Sequence, residues 1–124
     1  MQIQVLIADD AMFMRKVIRK NLEGCGITDT IEAANGVEAV ERYKECSPDL
    51  VLLDITMPEK SGIQALEEIL AIDPGARVIM CSAVGQQSMI VNALEKGAVD
   101  FIVKPFEKDE FESTVLRAVR QLEE

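Results

Sequence analysis

The sequence predicts an α/β fold: a doubly wound (βα)5 arrangement, with a five-stranded parallel sheet and helices on both faces. Three observations point there. Five short apolar runs alternate with longer stretches of helical periodicity. Most of those runs are almost continuously apolar, as strands buried on both faces are. Strands that alternate with helices pair in parallel through right-handed crossovers.

The elements follow in order. The first strand is expected over Ile3–Ala8, and the stripe Met14, Val17, Ile18, Leu22 gives the first helix, stopped by Gly24 and Gly26. The second strand, Thr30–Ala34, is interrupted by Glu32 and is expected at an edge. Val37, Val40 and Tyr43 form the next helical stripe, which ends at Ser47-Pro48. Strand three is Leu50–Leu53; its helix carries Leu66, Ile69 and Leu70 and stops at Pro74-Gly75. Strand four is Val78–Cys81, followed by the stripe Val91, Leu94, Ala98 with Gly97 as the stop. Strand five is Phe101–Val103, and Phe111, Val115, Ala118, Val119 and Leu122 mark the last helix.

The 124 residues fit one domain, 1–124, with no repeat, linker or low-complexity tract. Acidic residues outnumber basic ones 22 to 13, for a formal charge of −9. That balance argues against nucleic acid or an anionic membrane as a partner of the domain itself. The absence of histidine excludes Ser-His-Asp chemistry, histidine zinc sites and a phosphohistidine on this chain. Cys25, Cys46 and Cys81 are odd in number and not spaced Cys-x-x-Cys, so they read as reduced thiols of a cytoplasmic protein. No apolar run is long enough to span a bilayer, and MQIQVLIADD does not read as a signal peptide.

What ends each apolar run carries the chemistry. VLIA is followed by Asp9-Asp10, LVLL by Asp54, VIMC by Ser82, and FIV by Lys104-Pro105. In a parallel sheet these ends lie side by side, where open α/β sheets bind ligands. Taken singly, Asp9 or Asp10 reads as a helix cap, Ser82 as a turn residue and Lys104 as a solvated lysine. Asp54 caps nothing nearby, because its helix starts only near Ser61-Gly62. Together the residues read as a site. Two carboxylates about 4 Å apart repel by roughly 4 kcal/mol at an effective dielectric of 20, so three call for a cation or a shared proton. Oxygen-only donors favour a hard cation such as Mg²⁺. Such a cation beside a lysine and a hydroxyl suits phosphoryl transfer, with Asp54 as the nucleophile.

At Asp9-Asp10, DITMPE (54–59), Ser82-Ala83 and DFIVKPF (100–106), the chain resembles the response-regulator receiver family over essentially its whole length. With AMFMR (11–15) and CSAVGQQSM (81–89), it looks most like the stand-alone chemotaxis regulators. Its start at Met1 and its end with the last helix suit a free-standing receiver. The resemblance implies the flavodoxin-like strand order 2-1-3-4-5. It implies that Asp54 takes a phosphoryl group from a kinase's phosphohistidine. Asp10, Asp54 and the Thr56 carbonyl would hold Mg²⁺, with Asp9 acting through water. Lys104, the Ser82 hydroxyl and the amides of Thr56 and Ala83 would cradle the phosphoryl group. Phe101 would act with Ser82 as a switch, and Lys104–Pro105 would be cis. The implied partners are a chemotaxis-type histidine kinase, the flagellar motor switch protein and a phosphatase, the chain being a monomer. It would catalyse only its own phosphorylation and dephosphorylation.

The fourth helix carries apolar residues over about 200° of its wheel, more than a core stripe needs. It reads either as a deeply buried helix or as an exposed partner patch. The resemblance favours a docking face to which Ile90, Phe101 and Val103 contribute. Three other readings stand beside this one. The chain could be the N-terminal receiver of a larger transcriptional regulator. A second is an Mg²⁺-dependent aspartyl phosphatase, although Thr56 stands where such enzymes place a second aspartate. The third is an FMN binder, although Asp9-Asp10 would repel phosphate where its phosphate loop should lie.

Overall fold

The structure is a computed structural model and describes residues 2–122. Strands and helices alternate: β1 (Gln4–Ala8), α1 (Met12–Gly24), β2 (Asp29–Ala33), α2 (Gly36–Cys46), β3 (Leu50–Asp54), α3 (Gly62–Ile72), β4 (Val78–Ala83), α4 (Gln87–Lys96), β5 (Asp100–Lys104) and α5 (Lys108–Leu122). The sheet is parallel throughout, in the order β2-β1-β3-β4-β5. This is the doubly wound fold the sequence predicts. β2 lies at an edge, and within it only Ala33 is buried, whereas every residue of the central β3 is buried.

Side chains alternate across each strand and therefore fill two separate cores. Leu6, Ala8, Val51, Leu53, Val78 and Met80 pack against α2, α3 and α4 through Val40, Leu66 and Ile90. Val5, Ile7, Leu50, Leu52, Ile79 and Cys81 pack against α1 and α5 through Ile18 and Phe111. Each fully buried Leu or Ile contributes about 1.5–3 kcal/mol relative to exposure.

Local chemistry sets the helix starts. The Asn35 side chain accepts the Glu38 amide at 2.8 Å, and the Glu38 carboxylate accepts the Ala34 amide at 2.8 Å. Ser61 and Gln64 form a reciprocal capping box at the start of α3. Gly62 admits no side chain: a Cβ there would lie 2.0 Å from the Asp54 carbonyl oxygen. Its amide donates to the Ile55 carbonyl at 2.8 Å, so α3 begins pressed against the end of β3.

Three details differ from the sequence reading. Asp54, Ser82 and Lys104 belong to their strands, with Asp54 paired to Cys81, Ser82 to Val103 and Ala83 to Lys104, whereas Asp9 and Asp10 lie just beyond β1. Backbone pairing continues past the apolar run because it does not depend on side-chain polarity. In α2, Val37 is exposed, while Gly36, Ala39, Val40 and Tyr43 face inward. In α4, Val91 and Leu94 are exposed and Ile90 and Ala93 are buried, while Ala98 lies beyond the helix. At the start of α2, close packing accounts for the small residue on the inner line. A Cβ on Gly36 would come 2.0 Å from the Lys60 carbonyl oxygen.

Candidate functional site

From β1 the chain winds outward to β2, and from β3 it winds the other way to β4. The crevice between the ends of β1 and β3 is therefore the topological switch point of the sheet. Asp9 and Asp10 follow β1, and Asp54 ends β3. Carboxylate oxygens of Asp9, Asp10 and Asp54 lie within 4.8 Å of one another. Asp9 and Asp54 are buried, and Asp10 is exposed.

Asp9 is held from several sides. Its Oδ1 accepts the Ala11 amide at 2.9 Å, which fixes the turn into α1. Arg15 donates from Nη1 to the Asp9 carbonyl at 2.6 Å and from Nε to Glu32 at 2.9 Å. Lys104 reaches across from the end of β5 and donates to Asp9 Oδ2 at 2.7 Å, with Asp54 Oδ2 at 3.3 Å. The Lys104–Pro105 peptide bond is cis.

Burial pushes the Asp54 carboxyl above its ordinary pKa; Lys104 opposes the shift, and Asp9 and Asp10 add to it. Burial alone would lower the Lys104 pKa. The hydrogen bond to Asp9 and the charges of Asp54 and Asp9 outweigh it, and the net shift is upward. One ammonium against three carboxylates leaves two negative charges uncompensated. A cluster of oxygen donors with that charge fits one hard divalent cation.

Ser82 is fully buried at the end of β4, and its Oγ has no hydrogen-bond partner among the described residues. A buried hydroxyl left unpaired costs about 1–3 kcal/mol. An anionic ligand that accepts from it would recover that cost. Thr56 is exposed on the loop after β3. The Ala83 amide is already taken: it donates to Gln86 Oε1 at 2.7 Å, and Gln86 Nε2 donates to Thr56 Oγ1 at 2.9 Å. The sequence reading gave Gln86 and Arg15 no role, because a loop glutamine and a helix arginine carry no signal of their own. Cys81 lies beneath the site, with its thiol pushed up to about 12 by burial, so it offers no thiolate nucleophile.

Beside the site, α4 and β5 frame an apolar groove of about 300 Å³. Val84, Ile90, Val91, Leu94, Phe101 and Val103 line it. Phe101 is 39% exposed and Val103 half-buried. Ile90, expected on the partner surface, is only 7% exposed and forms the floor of the groove. The fourth helix is thus neither fully buried nor a flat patch. Ile90 and Ala93 anchor it, and Met89, Val91 and Leu94 remain outside. Among the described residues, no helix is long and apolar enough to cross a membrane.

Comparison with known proteins gives a consistent result. The profile of the response regulator receiver domain matches residues 5–116. The chemotaxis protein CheY of Bacillus subtilis is 59% identical over 106 residues, covering 86% of this chain and 88% of the relative. CheY of Listeria monocytogenes is 56% identical over 107 residues, covering 86% and 90%. Among solved structures, the receiver domain of NtrX from Brucella abortus superposes with a TM-score of 0.88 at 31% identity, covering 94% of this chain and 98% of that one. With the aspartates of β1 and β3 gathered at the switch point and the family profile spanning most of the sequence, the chain belongs to the response regulator receiver domain family.

Proposed function

We propose that this protein is a cytoplasmic phosphorylation switch of the chemotaxis type. In this reading, Asp54 accepts a phosphoryl group from the phosphohistidine of a sensor kinase, and the phosphorylated form docks on the flagellar motor switch. The observation that carries it is the placement of Asp54. It is a buried carboxylate at the switch point, 3.3 Å from the Lys104 ammonium and clustered with Asp9 and Asp10. The relatives named as chemotaxis proteins support the cellular setting.

The chemistry follows from these residues. An Asp54 Oδ attacks phosphorus, the phosphorus–nitrogen bond to the donor imidazole breaks, and the imidazole leaves with a proton. Asp9, Asp10, Asp54 and the Thr56 carbonyl would hold Mg²⁺, which supplies positive charge to the phosphoryl oxygens. Lys104, 3.3 Å from Asp54, stabilises charge on those oxygens. The Ser82 hydroxyl and the amides of Thr56 and Ala83 donate to the same group. Moving Ser82 toward the phosphoryl group clears space under α4, and Phe101 turns into it, which reshapes the groove shared with Ile90 and Val103. The reaction ends on this chain's own side chain, so the protein acts on itself and then signals.

The test uses acetyl phosphate and Mg²⁺ with intact-mass readout and peptide mapping. Wild type should gain one phosphoryl group on the peptide bearing Asp54, and Asp54→Asn should gain none. Equal mass gain in both proteins would remove Asp54 as the acceptor.

A further inference from the structure

Gln86 occupies part of the phosphoryl cradle. The Ala83 amide can only donate, so the Gln86 atom facing it at 2.7 Å is the carbonyl oxygen, Oε1. That orientation leaves Nε2 to donate to the Thr56 hydroxyl at 2.9 Å. One carboxamide therefore bridges the loop after β3 to the end of β4. It takes up a backbone donor on the rim where Asp54 would carry its phosphoryl group.

Gln86 also stands at a mechanical junction. It is the residue before α4, where its side chain makes no capping bond to the helix because the two bridging contacts engage it. Gly85 precedes it at φ +96°, a conformation glycine adopts without strain. Ala83, Val84, Gly85, Gln86 and Gln87 all line the apolar groove. Whatever moves the Gln86 carboxamide moves one wall of that groove.

We propose that Gln86 is a latch that competes with the phosphoryl group for the Ala83 amide and holds the first turn of α4 in its resting position until displaced. This inference rests on the phosphoacceptor reading above. The direction of the exchange follows from charge: a phosphoryl oxygen is an anionic acceptor, and the Gln86 carbonyl is a neutral one. Displacement frees Gln86, and through it the start of α4. Gln86 is thus a positioning residue whose release couples the site to the groove.

The test is titration of the Mg²⁺-loaded protein with beryllofluoride, a phosphoryl mimic, read by fluorine NMR, with Asp54→Asn as the control. Removing a neutral hydrogen-bond competitor should tighten binding by about five-fold, so Gln86→Ala should bind that much better than wild type. Gln86→Glu should bind less well than wild type, because its carboxylate still accepts from Ala83 and repels the anion. Amide hydrogen exchange at Met89 and Ile90, whose amides donate to the Gln86 carbonyl, measured against exchange in β3, provides a readout that a global loss of stability would not reproduce. Beryllofluoride should speed exchange at these two amides in wild type, whereas Gln86→Ala should exchange fast before any ligand is added. Binding by Gln86→Ala no tighter than wild type would overturn the latch. So would resting exchange at Met89 and Ile90 that matches wild type. Wild type that takes up no beryllofluoride would instead overturn the phosphoacceptor reading.

Discussion

Lys104 Nζ lies 2.7 Å from Asp9 Oδ2, closer than its 3.3 Å approach to Asp54. In this resting arrangement the Lys104 ammonium pairs first with an acid expected to serve the metal, and less closely with the expected phosphoacceptor. Neither pairing neutralises the cluster.

Mg²⁺ should therefore stabilise the fold. At 100 times its dissociation constant, a ligand that binds only the native state adds about 2.7 kcal/mol. Thermal melts with Mg²⁺ and with EDTA measure the gain. Asp10→Ala should lose most of it, and an undiminished shift in that variant would place the ion elsewhere.

Ser82→Ala should stabilise the unphosphorylated protein, unlike most core substitutions. It removes a fully buried hydroxyl with no partner among the described residues, so the gain should be about 1 kcal/mol. The same variant should lose the beryllofluoride-dependent gain in affinity for a partner peptide. Stability and activation thus move in opposite directions. A destabilised variant would show that Ser82 is satisfied at rest.

Tyr43 gives the fold an alkaline signature. Its hydroxyl donates to Asp73 at 2.8 Å, and burial, then that hydrogen bond and nearby carboxylates, raise its pKa above the ordinary 10.0. The native state keeps this proton where the unfolded chain releases it. Its contribution is complete below pH 10.0 and declines as pH rises toward the raised native value. Tyr43→Phe should be less stable by about 1 kcal/mol near neutrality. It should also lose stability more gently above pH 10, as denaturant titrations at several pH values will show. Parallel curves for the two proteins would contradict this.

Val84 stands 74% exposed at the lip of the site and offers no hydrogen bond to a hydrolytic water. Hydrolysis of an acyl phosphate needs that water held in line. Val84→Glu should therefore shorten the lifetime of the phosphorylated state. Decay followed by mass spectrometry in both proteins measures it. An unchanged rate with phosphorylation intact would show that the side chain at this position does not govern the water.

Strand polarity made the acidic centre legible. Once the runs ending at Asp9-Asp10, Asp54 and Lys104 are parallel strands, their ends must share one edge of the sheet, and the structure brings these side chains together there. The order of the strands came through the family resemblance, since alternating β and α segments do not fix it. Helix orientation was less legible. Hydropathy gives weight to Val37, Val91 and Leu94, whereas packing turned smaller residues inward at Gly36, Ala39 and Ala93. The Gln86 bridge had no sequence signature, because it depends on two loops 30 residues apart arriving within hydrogen-bond reach.

The sheet also acts as a partition. Because alternate residues serve opposite cores, among the described residues the layer built on Ile18 and Phe111 shares no buried side chain with the layer beneath α4. Side chains of the latter can repack without displacing those of the former. Over evolutionary time the two layers need not change together. The face proposed to meet partners can be rewritten for a new audience while the opposite face preserves the scaffold.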